Sequence, residues 1–275
     1  MQYDPIKRSL SRFFFRSPVT VKLFYRLLDI LLLRTWHVHR ALKQFGYDRN
    51  GQTDVQVLDA GSGLGQYTWY IARKNPEWHI TGIDIKSEEI KHCQAFLSRT
   101  GTDNADFQQQ DLTVFVRPES YDLILSVDVM EHIEDDQQVF SNFFRSLKPG
   151  GMLLISTPSD QGGSDVHNHD ETSFIEEHVR DGYGIQDIES KLAKAGFRAC
   201  ESRYTYGKPG RIAWRLSMKY PILMFSRSRY FMILLPVYYL LIMPLVLLLN
   251  RADVTGDHRS GTGLLVKAWK NNKNH

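Results

Sequence analysis

The residues best equipped for chemistry lie between positions 57 and 132. Val57-Leu58-Asp59-Ala60 reads as a short buried strand that runs into Gly61-Ser62-Gly63-Leu64-Gly65 and then into a helix. Glycines let a backbone turn tightly and approach a ligand closely, and the helix start behind them offers unpaired N–H groups. The spacing is G-x-G-x-G, and Gln66 stands where a dinucleotide loop places its third glycine. Asp59 also precedes the loop on the strand tip. Both details point away from a nicotinamide cofactor. A second acid, Asp84, closes the next strand in Gly82-Ile83-Asp84-Ile85, where a carboxylate can accept hydrogen bonds from both hydroxyls of a ribose. A third, Asp111, followed by Leu112, ends a third strand and is placed to face an adenine amino group. The fourth strand, Tyr121–Val127, leads into Asp128-Val129-Met130-Glu131-His132, a cluster with proton-transfer groups.

These residues need a scaffold that gathers strand ends. Apolar runs predict strands at Val55–Leu58, His79–Ile83, Ala105–Gln109, Tyr121–Val127, Met152–Ser156, Phe197–Tyr206 and Gly263–Trp269. Helices are expected at 65–74, 87–99, 135–147 and 185–195, with a turn at Lys148-Pro149-Gly150-Gly151. Alternation of this kind predicts an α/β fold: a doubly wound, mostly parallel, seven-stranded, Rossmann-like sheet. Two additions surround it. Residues 18–45 predict one amphipathic helix started by Pro18 and ended by Gly46. Residues 211–249 interrupt the rhythm just before the last strand. The expected division is 1–50 as an N-terminal segment, 51–210 with 253–275 as the core, and 211–252 as an apolar insertion.

Taken together, DAGSGLG, GIDI, DVMEH and LKPGG resemble the class I S-adenosylmethionine-dependent methyltransferases over roughly 54–206 and 262–270. The nearest likeness is to the quinone-biosynthesis methyltransferases. The resemblance implies S-adenosylmethionine as methyl donor. It assigns the methionine part of the donor to Asp59, Gly61 and Gly63, with Gly65 starting the helix. It assigns the ribose to Asp84 with Ile85 beside it, the adenine side to Asp111 and Leu112, and the donor pocket to Val127 and Asp128. His132 is then the leading proton acceptor, with Glu131 beside it. Some quinone O-methyltransferases hold a divalent cation with E-x-x-E-H; here the run is D-x-x-E-H, which leaves a cation open without requiring one. A second cluster, Asp165, His167, His169, Asp170, Glu171, Glu176, Glu177 and His178, matches no standard zinc spacing. It falls where this family places substrate loops, so His169 and His178 are second candidates for proton transfer. Gln161-Gly162-Gly163-Ser164 reads as a hinge ahead of it.

The net charge of +3 hides a partition. Residues 1–50 carry +7, 51–190 carry −16 and 191–275 carry +12. Tyr230–Leu249 is twenty residues without a formal charge, flanked by Arg227, Arg229 and Arg251. It is long enough to span a bilayer. Pro221, Pro236 and Pro244 are expected to interrupt it. Its ends must also return to one sheet, which a single span cannot do. A surface-lying or re-entrant helical hairpin can. Its basic flanks suit anionic lipid; an RNA groove would not need the uncharged stretch, so nucleic acid is set aside. Phe13-Phe14-Phe15 between Arg12 and Arg16 suits a headgroup interface in the same way. The competing reading of 211–249 is an oligomer interface or a buried core helix. Two cysteines, Cys93 and Cys200, fit reduced thiols rather than a disulfide scaffold. The expectation is therefore a methyltransferase of a lipophilic acceptor, a quinone or isoprenoid precursor first and a phospholipid headgroup or soluble molecule second. It would work at the cytoplasmic face of a membrane, since no secretory signal is legible at the N-terminus.

Overall fold

The computed structural model describes residues 17–49, 51–162, 179–227 and 231–271. Seven strands form one sheet: β1 (Gln56–Ala60), β2 (His79–Asp84), β3 (Ala105–Gln109), β4 (Tyr121–Val127), β5 (Leu147–Pro158), β6 (Ala199–Thr205) and β7 (Gly263–Trp269). Their order is β3-β2-β1-β4-β5-β7-β6. The first five are parallel, and β7 runs antiparallel between β5 and β6. The central strands are buried on both faces, which is why β4 reads as Leu123-Ile124-Leu125 and β5 as Leu153-Leu154-Ile155. The chain order reverses at β1, between β2 and β4. In open α/β sheets, ligands bind beyond the carboxyl ends of strands at such a reversal. The predicted sheet is the observed one. β5 begins earlier than expected, because the Lys148–Gly151 turn continues the strand rather than preceding it.

The N-terminal helix differs from expectation. It is two helices, α1 (Pro18–Leu31) and α2 (Leu33–Asp48), broken at Leu32 with φ −92° and ψ 110°. Neither proline nor glycine causes the break, and Gly46 lies inside α2 rather than ending it. Packing causes it. Val21 and Tyr25 of α1 pack with Trp69, Phe96 and Phe107. Val38, Ala41, Leu42 and Phe45 of α2 pack in a separate cluster with Val57 and Leu123, on the same face of the sheet as Phe107. The break at Leu32 lets each helix meet its own cluster. Ser17 starts α1 with a capping box, its Oγ accepting the Thr20 N–H at 3.2 Å. The remaining core helices are α3 (Gln66–Lys74), α4 (Ser87–Thr100), α5 (Asp136–Ser146) and α6 (Ile185–Ala195).

The insertion is an antiparallel helical hairpin. Its first arm is α7 (Lys208–Trp214), a π-helical turn at Arg215–Lys219, and α8 (Tyr220–Arg227). Its second arm is α9 (Phe231–Thr255), which carries Pro236 and Pro244 inside an unbroken helix. Proline removes one intrahelical bond and bends the axis, and neighbouring groups can make this good. Only Pro221 leaves a visible irregularity, the π turn just before it. At about 1.5 Å per residue, α9 is roughly 37 Å long.

One buried carboxylate ties these additions to the core. Asp253, near the end of α9, is fully buried. Its Oδ1 accepts from His37 Nε2 of α2 at 2.8 Å and from the Tyr206 N–H at 3.1 Å. Its Oδ2 accepts from the Gly210 N–H of α7 at 3.0 Å and lies 3.2 Å from His258 Nε2. Arg203 of β6 donates to His37 Nδ1 at 3.1 Å, which fixes His37 as the neutral tautomer with its proton on Nε2. Burial lowers the His37 pKa, although Asp253 opposes the shift. Replacing Asp253 by Ala leaves these donors facing an apolar gap. Chemical denaturation is expected to show a loss of about 3–5 kcal/mol, against less than about 1 kcal/mol if the node is incidental.

Candidate active site

The glycine loop is held from below by β2. Gly61 and Ser62 both donate their N–H to the Ile83 carbonyl at 2.8 Å. The Gly63 N–H donates to Asp84 Oδ2 at 2.9 Å, and the Lys86 N–H to Asp84 Oδ1 at 2.9 Å. Asp84 therefore shapes the loop as well as standing beside it. Gly61 and Gly65 have φ of +79° and +78°, and neither has room for a side chain. An added Cβ would lie 2.4 Å from Val129 Cγ2 at Gly61 and 2.7 Å from Phe107 Cζ at Gly65. Gly63, with φ +50°, has only Glu89 Oε2 at 3.6 Å in that direction. Its glycine serves the backbone conformation and leaves the loop's surface open. The Ser62 hydroxyl is buried without a protein partner.

Asp59 lies beneath the loop rather than on it. It is 2% exposed, and its Oδ2 accepts the Thr68 N–H at 3.0 Å and the Thr68 hydroxyl at 2.7 Å. It joins the tip of β1 to the first turn of α3. Burial, with the nearby Asp84 charge, pushes its pKa from the ordinary 3.8 up to about 6, against the two Thr68 bonds.

The other predicted donor-side residues line the same edge of the sheet. Ile85 follows β2 and is 61% exposed, an apolar platform beside Asp84. Asp111 follows β3; its Oδ1 accepts the Thr113 N–H and hydroxyl, each at 2.8 Å. Leu112 is buried, and Asn142 of α5 fixes its carbonyl at 2.9 Å. Val127 ends β4. Asp128 follows it with φ +51°, a left-handed conformation uncommon for a residue with a side chain. Glu131 and His132, placed side by side by sequence, differ in burial. Glu131 is buried, takes the Thr157 hydroxyl of β5 at 3.0 Å, and has its pKa raised by burial. His132 is exposed on a 3₁₀ turn, Met130–His132. His169 and His178, with the rest of the acidic and histidine cluster, lie outside the described residues.

Sequence reasoning missed the cover that the N-terminal helices place over this edge. Arg34 forms an ion pair with Asp128. The Arg34 N–H donates to the Tyr206 hydroxyl at 3.0 Å, and Tyr206, past the end of β6, also has a left-handed φ of +57°. The Tyr25 hydroxyl donates to the Leu64 carbonyl of the glycine loop at 2.5 Å. Gln66 donates to Asp29 at 2.7 Å. No local pattern marks these residues, because each acts across many intervening positions. With Asp128 paired to Arg34 and Glu131 to Thr157, the D-x-x-E-H run does not converge on one point. Among the described residues no group of three or more His, Cys, Asp or Glu is placed to hold a metal ion.

An open glycine loop, an acid at each of the next two strand ends and a reversal of strand order define a class I methyltransferase of the S-adenosylmethionine-dependent type. The profile of a methyltransferase domain matches residues 52–196, and the chain belongs to that family. It is 30% identical over 166 residues to phosphoethanolamine N-methyltransferase 1 of Zea mays, covering 56% of this chain and 30% of that protein. It is 28% identical over 131 residues to a malonyl-[acyl-carrier protein] O-methyltransferase of Bacillus cereus, covering 48% of each. The match thus takes in under a third of the plant protein and about half of the bacterial one. The Haemonchus contortus phosphoethanolamine N-methyltransferase 2 solved with S-adenosyl-L-methionine superposes with a TM-score of 0.60 at 17% identity, covering 90% of this chain and 60% of that one.

Two outcomes follow from this geometry. Asp84→Ala removes the acceptor that holds Gly63, and calorimetric binding of S-adenosylmethionine is expected to weaken at least tenfold while the circular dichroism spectrum is kept. Asp59 binds its proton more tightly folded than unfolded. Stability therefore falls as pH rises from about 4 to about 6, and Asp59→Asn, which still accepts from Thr68, is expected to flatten that slope in thermal melts.

Proposed function

We propose that this chain transfers a methyl group from S-adenosylmethionine to a lipophilic acceptor, of the quinone or isoprenoid-precursor kind, at a membrane surface. The donor supplies an electrophilic methyl on a sulfonium, displaced in line by the acceptor's nucleophile. The loop at Gly61–Gly65 would cradle its methionine part, Asp84 would take the ribose hydroxyls, and Asp111 would face the adenine. Asp84, on the open side of the loop, gives the pocket a negative charge that favours a cation. His132 is exposed at the same edge and suits the acceptor's proton. The rest of the protein's contribution is alignment and exclusion of water, served by the cover that Arg34 and Tyr25 fasten.

The observation that carries the reading is the outward face of α9. Ile233–Thr255 is long and apolar enough to cross a bilayer, and only 11% of its most apolar stretch is buried. Leu240 and Leu241 are 76% and 72% exposed. Apolar patches of this size mark an interaction surface. α1 also exposes apolar residues, Val19, Leu23, Leu27 and Ile30, and is followed by Leu33 and Arg34 at the start of α2. Leu33 packs on Gly210 of α7, where an added Cβ would lie 2.6 Å from it, while Arg34 reaches Asp128. An acceptor arriving along the apolar helices therefore meets the pocket edge. A hairpin with both ends on the core suits a helix pair lying on or dipping into one leaflet.

A second reading, methylation of a phospholipid headgroup, is favoured by the phosphoethanolamine methyltransferases among the relatives. Purified full-length chain, labelled donor and a total lipid extract separate the two. The expected product is label in an apolar, quinone-like species. Label on a phospholipid headgroup selects the second reading. Label confined to water-soluble metabolites, together with a chain that stays monodisperse without detergent, overturns both.

A further inference from the structure

Between the two arms of the insertion lies an open groove of about 480 Å³ whose walls are almost wholly apolar. Leu216, Tyr220, Leu223 and Met224 line one side, Tyr238 and Ile242 the other. Arg227, the last residue of α8, lines its far end. The volume is that of a site for one small molecule.

The groove is built around a backbone defect. Pro221 has no N–H to give to the Ser217 carbonyl, and the Tyr220 N–H goes to the Arg215 carbonyl instead of Leu216. Two carbonyls thereby lose their usual helical partners. Tyr238 donates its hydroxyl to the Leu216 carbonyl at 2.7 Å, and Tyr239 donates to Ser217 at 2.8 Å. The two rings meet edge-on, 5.7 Å between centroids. This arrangement does two things. It satisfies polar backbone in a setting without water, as apolar surroundings demand. It also turns both phenol oxygens into the helix pair, leaving hydrocarbon on the groove wall.

One basic side chain selects the occupant. Arg227, exposed at the end of α8, is the charged residue among those that line the groove. Apolar walls exclude a nucleic acid, and a neutral hydrocarbon would make no use of the arginine. We infer that the groove holds one acyl chain of an anionic phospholipid, with the phosphate at Arg227. The occupant is a bound lipid that anchors the hairpin, distinct from the acceptor of the methyl group. The inference rests on the membrane association proposed above.

The test uses full-length protein, phosphatidylglycerol vesicles and phosphatidylcholine vesicles. Flotation reads membrane association, and native mass spectrometry of protein released in mild detergent counts the lipids retained. The expected result is one phosphatidylglycerol per chain and no retained phosphatidylcholine. Leu223→Trp fills the groove from an exposed position and is expected to abolish retention while flotation persists, because the outer face of α9 is untouched. Arg227→Gln is expected to weaken retention about fivefold, the worth of one basic side chain near anionic lipid. Arg211→Gln, an exposed arginine on α7 outside the groove, should leave retention unchanged. Retention that survives Leu223→Trp, equal retention of phosphatidylcholine, or a dimer that Leu223→Trp dissolves would overturn the inference, the last assigning the groove to a second copy of the chain. Absence of flotation with one phosphatidylglycerol still retained from mixed micelles would sink the membrane reading and keep the groove.

Discussion

The helices added to the core, α2 and the hairpin α7–α9, depend on the carboxylate of Asp253. A charge taken fully out of water is tolerated only when its lone pairs are filled. Here the donors come from α2, the turn after β6, the start of α7 and the loop before β7. His37 of α2 lies far in sequence from the other donors, while Tyr206 and Gly210 are four residues apart and His258 follows α9 closely. The carboxylate thus fixes the angle at which a hairpin of roughly 37 Å leaves the core, and it does so with directional bonds that apolar packing could not supply. The same node holds α2 in place, and α2 begins with Leu33 and Arg34. Through Arg34 the geometry of the insertion is linked to Asp128 at the donor edge.

The donor edge itself follows a different logic. Its acids are split by environment. Asp59 is sealed beneath the loop and holds β1 to α3, while Asp84 is shared between the loop's backbone and the open side of the site. The negative centre that the sequence shows as a block of −16 is therefore not one field. Part of it is structural carboxylate, whose charge burial disfavours, and part faces the pocket.

Most of the scaffold could be read from the chain. The strands announce themselves because parallel, doubly buried strands are short apolar runs, and the glycine loop is local by nature. Gly63-to-Asp84 contact could be expected from strand order alone. What escaped reading was long-range. The break at Leu32 has no breaker residue and accompanies two separate packing clusters, one for each helix. Arg34, Tyr25 and Tyr206 gain their roles only when helices from one end of the chain lie across strand ends from the middle. Glu131 and His132 looked like one unit because they are adjacent, yet a 3₁₀ turn sends one inward and one outward. Prolines gave mixed signals for a physical reason. Pro221 disturbs a helix whose freed carbonyls then meet tyrosines, while Pro236 and Pro244 sit within a helix that continues past them.

The placement of β7 sets the order in which the protein can be completed. β6 has no neighbour in the sheet other than β7. A chain made from its N-terminus has already produced α7, α8 and α9 before residues 263–269 exist to bridge β5 and β6. During that interval the apolar hairpin is fully synthesised while the edge of the sheet stays unpaired. Strand edges and apolar faces exposed together invite aggregation. The hairpin is therefore complete in the chain before the sheet can close.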